Sequence, residues 1–402
     1  MIYLDNSATT KQYPEVTETM VRFMDENFGN PSSMYQLAVD AEKAVKTARL
    51  QVCSAMSKDS GCDFTGTGHL IFTSGGTEAD NMAIFGAARA MKRYGNRIVT
   101  TQVEHPAVLE CCKALETEGF EVVYVGVDRN CRVDVSELEA AVNDSTVLVT
   151  MMHVNNEVGT VLPVDSVRDI MNRRGSPGLF HCDAIQSFGK IPMPEYADLV
   201  AISGHKIHGP KGSGALWVVG SSRGRSINLP ALILGGGQEN GYRSGTENVP
   251  AITGLGQAAE MAGKAGGNGV SDICELTGLR ALLLKGLKEN IPDTVINSPG
   301  EAGAEAGLCS PTILNVTFLG TRGEVLLHTL EQDGIYVSTG SACSAKKRGR
   351  SHVLTAMGLK DREIEGTLRF SLGRFNTQED IEITVCKVKE AVRRFRKLGS
   401  FR

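Results

Sequence analysis

Short apolar runs alternate with helical patterns between about residues 69 and 219 of the sequence. Each of four such runs ends in a polar or glycine-rich turn: His69–Thr73, Ile98–Thr101, Thr146–Met151 and Leu179–Cys182. When strands alternate with helices in this way, each helix returns the chain across the sheet, so neighbouring strands run parallel and both faces are covered. The sequence therefore predicts an α/β fold whose large domain contains a mainly parallel sheet.

The pattern changes beyond about residue 264, where a glycine-rich stretch precedes shorter strands and helices. These later elements predict a smaller α+β domain. A chain of 402 residues is also too long for one small core. We therefore predict that residues 14–264 form the large domain, and that residues 1–13 and 265–402 form the small domain.

Composition narrows the classes of partner. With 41% hydrophobic and 22% charged residues the chain is typical of a soluble globular protein, and its net charge of −4 argues against nucleic acid as a partner. The chain contains no run of 18 apolar residues, so no membrane span is predicted. The ten cysteines include no Cys-x-x-Cys pair, so neither a disulfide framework nor a zinc site is predicted. We expect no resident metal. We also expect that the thiols are reduced and that the protein is cytoplasmic.

Lys206 lies between two apolar runs, in the sequence Ser203-Gly204-His205-Lys206. A lysine that forms a Schiff base must be unprotonated near neutral pH, and burial and nearby cations lower the pKa of its amine. Ser203 and His205 could bind an anionic group of a cofactor. A glycine-rich turn with a solvated lysine is the structural alternative, and this stretch alone leaves both interpretations open.

A second turn, Ser74-Gly75-Gly76-Thr77, separates a predicted strand from a predicted helix. The free N–H groups and positive dipole end of a helix N-terminus attract phosphate, and the Thr77 hydroxyl could add a donor. The turn matches neither the Walker pattern nor the Gly-x-Gly-x-x-Gly pattern of dinucleotide sites. An ordinary capped turn is the alternative interpretation.

Further polar residues follow other predicted strands, where open α/β sheets place their ligands. His105 could stack on an aromatic cofactor ring, and Asn155 and Asn156 offer amide donors. Asp183 could pair with a pyridine nitrogen, which makes the ring an electron sink, while Gln186 could donate to a ring hydroxyl. Asp183 could equally be a helix cap. Taken together with Lys206 and the phosphate turn, these residues predict a site for pyridoxal 5'-phosphate.

The sequence resembles the pyridoxal-phosphate-dependent cysteine desulfurases, the NifS- and IscS-like group of the class V aminotransferase family. The matching motifs extend over nearly the whole chain and are specific as a set: Tyr3–Thr10, Thr73–Asn81, Glu104–Pro106, Asn155–Gly159, Asp183–Gln186, Ser203–Lys206, Arg243–Asn248, Gly340–Cys343 and Arg369–Gly373. The resemblance implies fold type I of the pyridoxal-phosphate enzymes, with a seven-stranded sheet in the large domain, and a homodimer.

The resemblance also implies roles for individual residues. Three would be catalytic: Lys206, which would hold the cofactor and move protons, His105, which would stack on the ring, and Cys343, the nucleophile. The other cofactor-binding residues would be Gly76, Thr77, Asp183, Gln186, Ser203, His205 and Thr246, the last reaching across from the second subunit. The substrate would be bound by Arg369 at its carboxylate, with Asn6 and Asn156 nearby.

The implied activity converts L-cysteine to L-alanine and leaves the sulfur on Cys343 as a persulfide, for delivery to an acceptor such as an iron–sulfur scaffold protein. The small residues around Cys343 suit a mobile loop, and the basic run Lys346–Arg350 should favour a thiolate. Three alternatives stay open: a selenocysteine lyase, an aminotransferase on the same fold, and a non-catalytic scaffold in sulfur transfer.

Overall fold

The computed structural model describes residues 1–57, 63–66, 68–264, 270–300, 303, 306–339, 350–397 and 399. Its strands are β1 Ile2–Tyr3, β2 Gly68–Thr73, β3 Arg97–Thr101, β4 Glu121–Val125, β5 Thr146–Met152, β6 Leu179–Asp183, β7 Leu199–Ser203, β8 Gly214–Val219, β9 Ser221–Ser222, β10 Arg225–Ser226, β11 Thr294–Ile296, β12 Ile313–Phe318, β13 Ile335–Tyr336 and β14 Thr367–Ser371. Its helices are α1 Pro14–Asp25, α2 Gln36–Ser57, α3 Gly76–Met91, α4 Pro106–Thr117, α5 Val135–Ala141, α6 Val167–Arg173, α7 Val249–Lys264, α8 Val270–Asn290, α9 Gly323–Gln332, α10 His352–Ala356, α11 Asp361–Glu365 and α12 Gln378–Lys397.

The main sheet has seven strands in the order β2-β8-β7-β6-β5-β3-β4, which confirms the predicted α/β class. All neighbouring pairs are parallel except those of β8, which runs antiparallel to both β2 and β7. Only residues 204–213 connect β7 to β8, fewer than the dozen or so that a parallel crossover needs, so β8 turns back beside β7. That short connection contains Lys206.

Two hydrophobic clusters cover the faces of this sheet. All seven residues of β5 are buried, as expected for a central strand covered on both faces. Val149 and Met151 of β5 belong to one cluster with side chains of α2 and α7, whereas Val147 and Leu148 belong to the other with side chains of α3 and α4. The sheet is therefore a rigid layer, and its strand ends are fixed points for functional side chains.

The C-terminal part of the chain builds a second, antiparallel sheet in the order β11-β12-β14. The N-terminal strand β1 pairs with β13, and Leu4 packs in a third hydrophobic cluster with Leu314, Phe318 and Phe370. Ile2 and Leu4 therefore pack with the C-terminal part, whereas Tyr13 packs in the first cluster. The C-terminal part also packs against the main sheet, because Val353 of α10 lies in the first hydrophobic cluster. The domain bounds remain a prediction.

In the described part of the chain, no helix combines the length and the apolar character that a membrane span requires.

We predict that Gly214→Ala destabilises the fold at the start of β8. A Cβ atom at Gly214 would lie 2.7 Å from the carbonyl carbon of Gly75 and 2.7 Å from the carbonyl oxygen of Ile202, and neither backbone atom can swing aside. The free energy of unfolding should fall by about 1–3 kcal/mol in urea denaturation.

The matched control is Gly126→Ala, because a Cβ atom at that glycine would have no neighbour within 4 Å. Its free energy of unfolding should stay within about 0.5 kcal/mol of the original protein. Equal stability of the two variants would show that the contact at Gly214 can relax.

Candidate active site

Two adjoining cavities lie at the carboxyl ends of β5, β6 and β7, and share the side chains of Thr77, Ser203 and His205. The first, of about 400 Å³, lies at the N-terminus of α3. The second, of about 330 Å³, brings together most of the residues that the sequence predicts for the site: Gly76, Thr77, His105, Asn156, Asp183, Gln186, Ser203, His205, Lys206 and Arg369. Residues that are far apart in sequence thus converge on one pocket.

Lys206 ends a single helical turn that follows β7 directly. Its Nζ donates hydrogen bonds to the carbonyl oxygens of Ser7 and Ala8, the latter at 2.8 Å. The N-terminal segment therefore lies against the amine, and Thr10 reinforces the contact by donating to the carbonyl oxygen of His205 through both its backbone N–H and its hydroxyl. Main-chain acceptors therefore fix the lysine in the wall of the second cavity.

The turn before α3 has the features of an anion site. Helix α3 begins at Gly76, where a Cβ atom would lie 2.1 Å from the Ile185 side chain, so glycine permits the close approach of these segments. The Ser203 hydroxyl is buried and has no hydrogen-bond partner in the described part of the chain. An unpaired hydroxyl beside the free N–H groups of a helix N-terminus fits the phosphate of a cofactor.

His205 lines both cavities, and its Nδ1 lies 3.2 Å from the Thr9 hydroxyl. Burial, assisted by the positive charges of Lys206, Lys211 and Lys190, lowers the pKa of His205 to about 4. The ring is therefore neutral at pH 7, and can contribute a hydrogen bond to a phosphate but no full positive charge.

His105 is the N-cap of α4, and its Nδ1 accepts a hydrogen bond from the Ala107 N–H at 3.1 Å. Burial, and then the charges of Lys206 and His352, lower the pKa of His105 to about 4. A neutral imidazole whose Nδ1 accepts a hydrogen bond carries its proton on Nε2. The structure thus assigns the tautomer, and leaves Nε2–H as the donor that remains for a ligand.

Asp183 is the last residue of β6, and Gln186 lies three residues further along the chain. One carboxylate oxygen of Asp183 accepts the Ile185 N–H at 3.0 Å. Burial raises the pKa of Asp183 to about 6, although that hydrogen bond and the charge of Lys206 oppose the shift. A buried carboxylate of this kind fits a protonated ring nitrogen, since such a partner would compensate for its lost hydration.

Arg369 lies on β14, and only 3% of it is exposed. It donates to Asp5 at 2.7 Å and to the Asn156 carbonyl oxygen at 3.0 Å, while its Nε has no partner in the described residues. The Asn6 side chain donates instead to the carbonyl oxygen of Ser371 at 2.9 Å, and lines a separate cavity on another side of Lys206. Asn6 therefore fixes the N-terminal segment and does not face the Arg369 pocket.

Of the two remaining predicted site residues, the structure describes Thr246 but not Cys343. Thr246 is exposed and lines neither of the two cavities in this chain. Cys343 and the basic run up to Gly349 lie outside the described residues, of which Arg350 is the next one along the chain.

Sequence reasoning missed three buried carboxyl groups near the pocket. Asp80 on α3 is fully buried, both of its oxygens lack a hydrogen-bond partner among the described residues, and Nε2 of His181 lies 3.5 Å away. Burial raises the pKa of Glu104 to about 8. The signal for Asp80 was its place on a helix rich in buried alanine, where the apolar Ala83 and Ile84 follow three and four residues later.

The third is Glu157, which accepts a hydrogen bond from the Ser351 hydroxyl at 2.5 Å. Ser351 caps α10, immediately after the region that contains Cys343. Burial raises the pKa of Glu157 to about 7, and the hydrogen bond from Ser351 and the charge of Arg369 oppose the shift. This buried contact fixes the start of α10 beside the Arg369 pocket.

We predict that Glu157→Gln removes part of the pH dependence of stability. Between about pH 4.5 and 7 the unfolded chain loses the Glu157 proton and the folded protein keeps it. The stabilisation by this carboxyl group is therefore complete below about pH 4.5 and is lost as the pH rises through about 7. Relative to the variant, the free energy of unfolding of the original protein should fall on the order of 2 to 3 kcal/mol over this range in urea denaturation.

The control for this measurement is Glu137→Gln, because Glu137 is an exposed side chain on α5. Its stability profile should run parallel to that of the original protein at every pH. A parallel profile for Glu157→Gln would contradict the assignment of a buried, protonated carboxyl group.

Known proteins are similar to this chain in both sequence and fold. Residues 2–383 match the aminotransferase class-V family. A cysteine desulfurase of Trichormus azollae is 42% identical, over 100% of this chain and 95% of that protein. The cysteine desulfurase IscS of Clostridium botulinum is 39% identical, over 99% of this chain and 96% of that protein. A solved structure of a NifS-like protein is 35% identical, with a TM-score of 0.84 over 98% of this chain and 99% of that one.

These likenesses extend over both sheets and confirm the predicted fold type I architecture. The family match includes every residue that lines the two cavities. The chain therefore belongs to the aminotransferase class-V family, among its cysteine desulfurases.

Proposed function

We propose that this protein is a pyridoxal-phosphate-dependent cysteine desulfurase, which converts L-cysteine to L-alanine and takes the sulfur onto one of its own cysteines. The observation that carries the proposal is the position of Lys206 in a cavity that has Ser203 and Thr77 toward one end and also includes Arg369. This arrangement can bind an anionic cofactor and the carboxylate of an amino acid at the same amine. Full-length similarity to cysteine desulfurases supports the choice of substrate.

Enzymes of this family depend on pyridoxal phosphate, and the residues of the site fit that cofactor. The phosphate would bind at the N-terminus of α3, where Thr77 and the unpaired Ser203 hydroxyl supply donors. Asp183 would hold the ring nitrogen, Gln186 the ring oxygen, and His105 the ring face. When bound, pyridoxal phosphate supplies an electron sink for bonds broken next to the substrate α-carbon.

Arg369 would bind the substrate carboxylate through its planar guanidinium, which Asp5 and Asn156 orient. The Lys206 amine would hold the cofactor and then move a proton at the substrate α-carbon. For this it must leave the carbonyl oxygens of Ser7 and Ala8, which Lys206 contacts in this structure. The Nε2–H group of His105 stays available as a hydrogen-bond donor in the pocket, since Nδ1 is engaged by Ala107.

We propose Cys343 as the nucleophile. Its thiolate would attack the sulfur of the bound cysteine, so that an S–S bond forms while the bond between that sulfur and the substrate β-carbon breaks. The electron pair returns to the substrate carbon, which takes up a proton and leaves as alanine. The products are the persulfide of Cys343 and L-alanine, with no external oxidant or reductant. The persulfide would pass to an acceptor protein such as an iron–sulfur scaffold.

We also propose that two copies of the chain form a homodimer. Large apolar side chains are exposed at Phe28, Met34, Tyr35 and Leu234, and Met34 is 99% exposed. Such residues favour burial against a partner. Leu234 lies next to Ile233, which pairs with Arg243, so this apolar segment and the loop that contains Thr246 are neighbours. A dimer that buries them would bring Thr246 toward the phosphate cavity of the second copy.

A cytoplasmic location is part of the proposal. The cysteines in the part of the chain that the structure describes are all free thiols, as expected in a reducing compartment.

The proposal is tested by the visible absorbance of the purified protein before and after addition of L-cysteine, with alanine and sulfide assayed in parallel. We predict a yellow protein whose absorbance band changes with cysteine and which produces alanine. Cys343→Ala should keep the colour and lose persulfide formation. Lys206→Ala should prevent borohydride from attaching the cofactor to the chain, because the reacting amine is gone.

A protein that stays colourless with added pyridoxal phosphate would refute the proposal. If the protein is coloured but makes no alanine from cysteine, its activity is that of a related enzyme on this fold and not that of a cysteine desulfurase. Cys386→Ala is the control for Cys343→Ala, because Cys386 is an exposed thiol on α12. It should form persulfide at the rate of the original protein.

We predict that Leu234→Asp weakens the dimer, because the charge would have to be buried without a partner. Light scattering after gel filtration should show a monomer at micromolar concentration. The affinity for pyridoxal phosphate should fall about tenfold or more, since Thr246 would no longer reach the second site. Ile383→Asp, on an exposed position of α12, is the control and should remain dimeric. A Leu234→Asp protein that stays dimeric would contradict the proposed interface.

A further inference from the structure

Lys190 lies beside the catalytic centre, although the sequence did not indicate it as a site residue. Its Nζ donates a hydrogen bond to the amide oxygen of Gln186 at 3.1 Å. The two residues are four positions apart, in the turns that follow β6. Lys190 also lines a cavity of about 60 Å³ whose wall includes Lys206 and Asn6. Two lysines therefore lie on one side of the proposed cofactor pocket.

The partners of Gln186 allow only one orientation of its side-chain amide. An ammonium group can donate hydrogen bonds but cannot accept them, so it requires the amide oxygen. The Gln186 NH2 group donates to the carbonyl oxygen of Ser7 at 3.0 Å, and a carbonyl can only accept. A flipped amide would place oxygen against oxygen and NH2 against NH3+. Lys190 and Ser7 together fix the direction in which Gln186 donates.

The same Ser7 carbonyl oxygen accepts a hydrogen bond from Lys206. During the proposed reaction Lys206 must leave this oxygen. Lys206 and Gln186 both donate to the Ser7 carbonyl oxygen. When Lys206 leaves, Gln186 is the one of these two that still holds this carbonyl at the edge of the pocket. A Gln186 side chain that could rotate freely would release the N-terminal segment when Lys206 moves.

We propose that Lys190 is a positioning residue: its amine holds the Gln186 amide in the orientation that donates to the Ser7 carbonyl and to the cofactor ring. The inference rests on the proposed function, because Gln186 acts there on the bound cofactor. Lys190 itself lines neither of the two cavities proposed for the cofactor and the substrate.

The hydrogen bond to Gln186 does not require Lys190 to be charged, because a neutral amine also has N–H groups to donate. Burial, and then the charge of Lys206, lower the pKa of Lys190 to about 7. Each lysine therefore disfavours a proton on the other, and Lys206 must be neutral to react. The hydrogen bond to Gln186 is the described contact that keeps the Lys190 amine in this place.

The test is a double-mutant cycle on the holoenzyme with Lys190→Met, Gln186→Met and the double variant. Lys190→Met should lower kcat for L-cysteine about tenfold, leave KM within about twofold, and weaken the visible circular dichroism of the bound cofactor. If Lys190 acts through Gln186, adding Lys190→Met to Gln186→Met should cost no more than about a further twofold.

Three matched variants complete the experiment. Lys190→Arg retains a cationic donor and should restore kcat to within about threefold of the original protein. Lys190→Gln, which retains an N–H donor, is also combined with Gln186→Met in a second double-mutant cycle. The test therefore does not depend on the folding of one variant. Lys43→Met removes an exposed lysine on α2 and should change neither kcat nor the spectrum.

The inference is overturned if Lys190→Met has the kcat and spectrum of the original protein, or if its tenfold loss persists in the Gln186→Met background. Both results require an original protein that is coloured and active, so they differ from a failure of the proposed function. A colourless original protein would overturn the function and the inference together.

Discussion

The carbonyl oxygen of Ser7 is the contact on which the candidate active site depends. It accepts hydrogen bonds from Lys206, on the turn after β7, and from Gln186, on the segment after β6. Because Ser7 belongs to the N-terminal segment, these bonds join the first residues of the chain to the main sheet. Nearby, Asp5 holds Arg369 of the second sheet. The N-terminal segment therefore contacts both Lys206 and Arg369, the residues proposed to bind the cofactor and the substrate.

Burial determines the charge of the groups around this contact. The histidines of the pocket are neutral at pH 7 because burial and neighbouring lysines lower their pKa values, as for His105 and His205. The buried carboxyl groups respond in the opposite sense, and the pKa values of Glu104 and Glu157 rise to about 8 and about 7. An anionic cofactor and an anionic substrate would thus enter a pocket with lysine and arginine cations and few ionised carboxylates.

The rigid strands explain why much of the site could be predicted. Thr77, His105, Asp183 and Lys206 each follow a strand of the main sheet, and parallel strand ends meet at one edge. A motif and its place after a strand were therefore enough to bring these residues together. Asn6 and Thr246 could not be placed in this way. The orientation of Asn6 depends on Ser371, which is distant in sequence, and the role proposed for Thr246 requires a second copy of the chain.

Long-range packing also hid the supporting residues from sequence reasoning. Lys190 and Glu157 look like ordinary polar residues, and only their contacts with Gln186 and Ser351 give them a place in the site. The sequence by itself determined the α/β class, because local patterns of strand, turn and helix specify strand ends, and its motifs determined the family. The tertiary structure alone decided which groups are buried, which proton each retains and which side chains orient the others. Those properties depend on neighbours that the sequence does not place side by side.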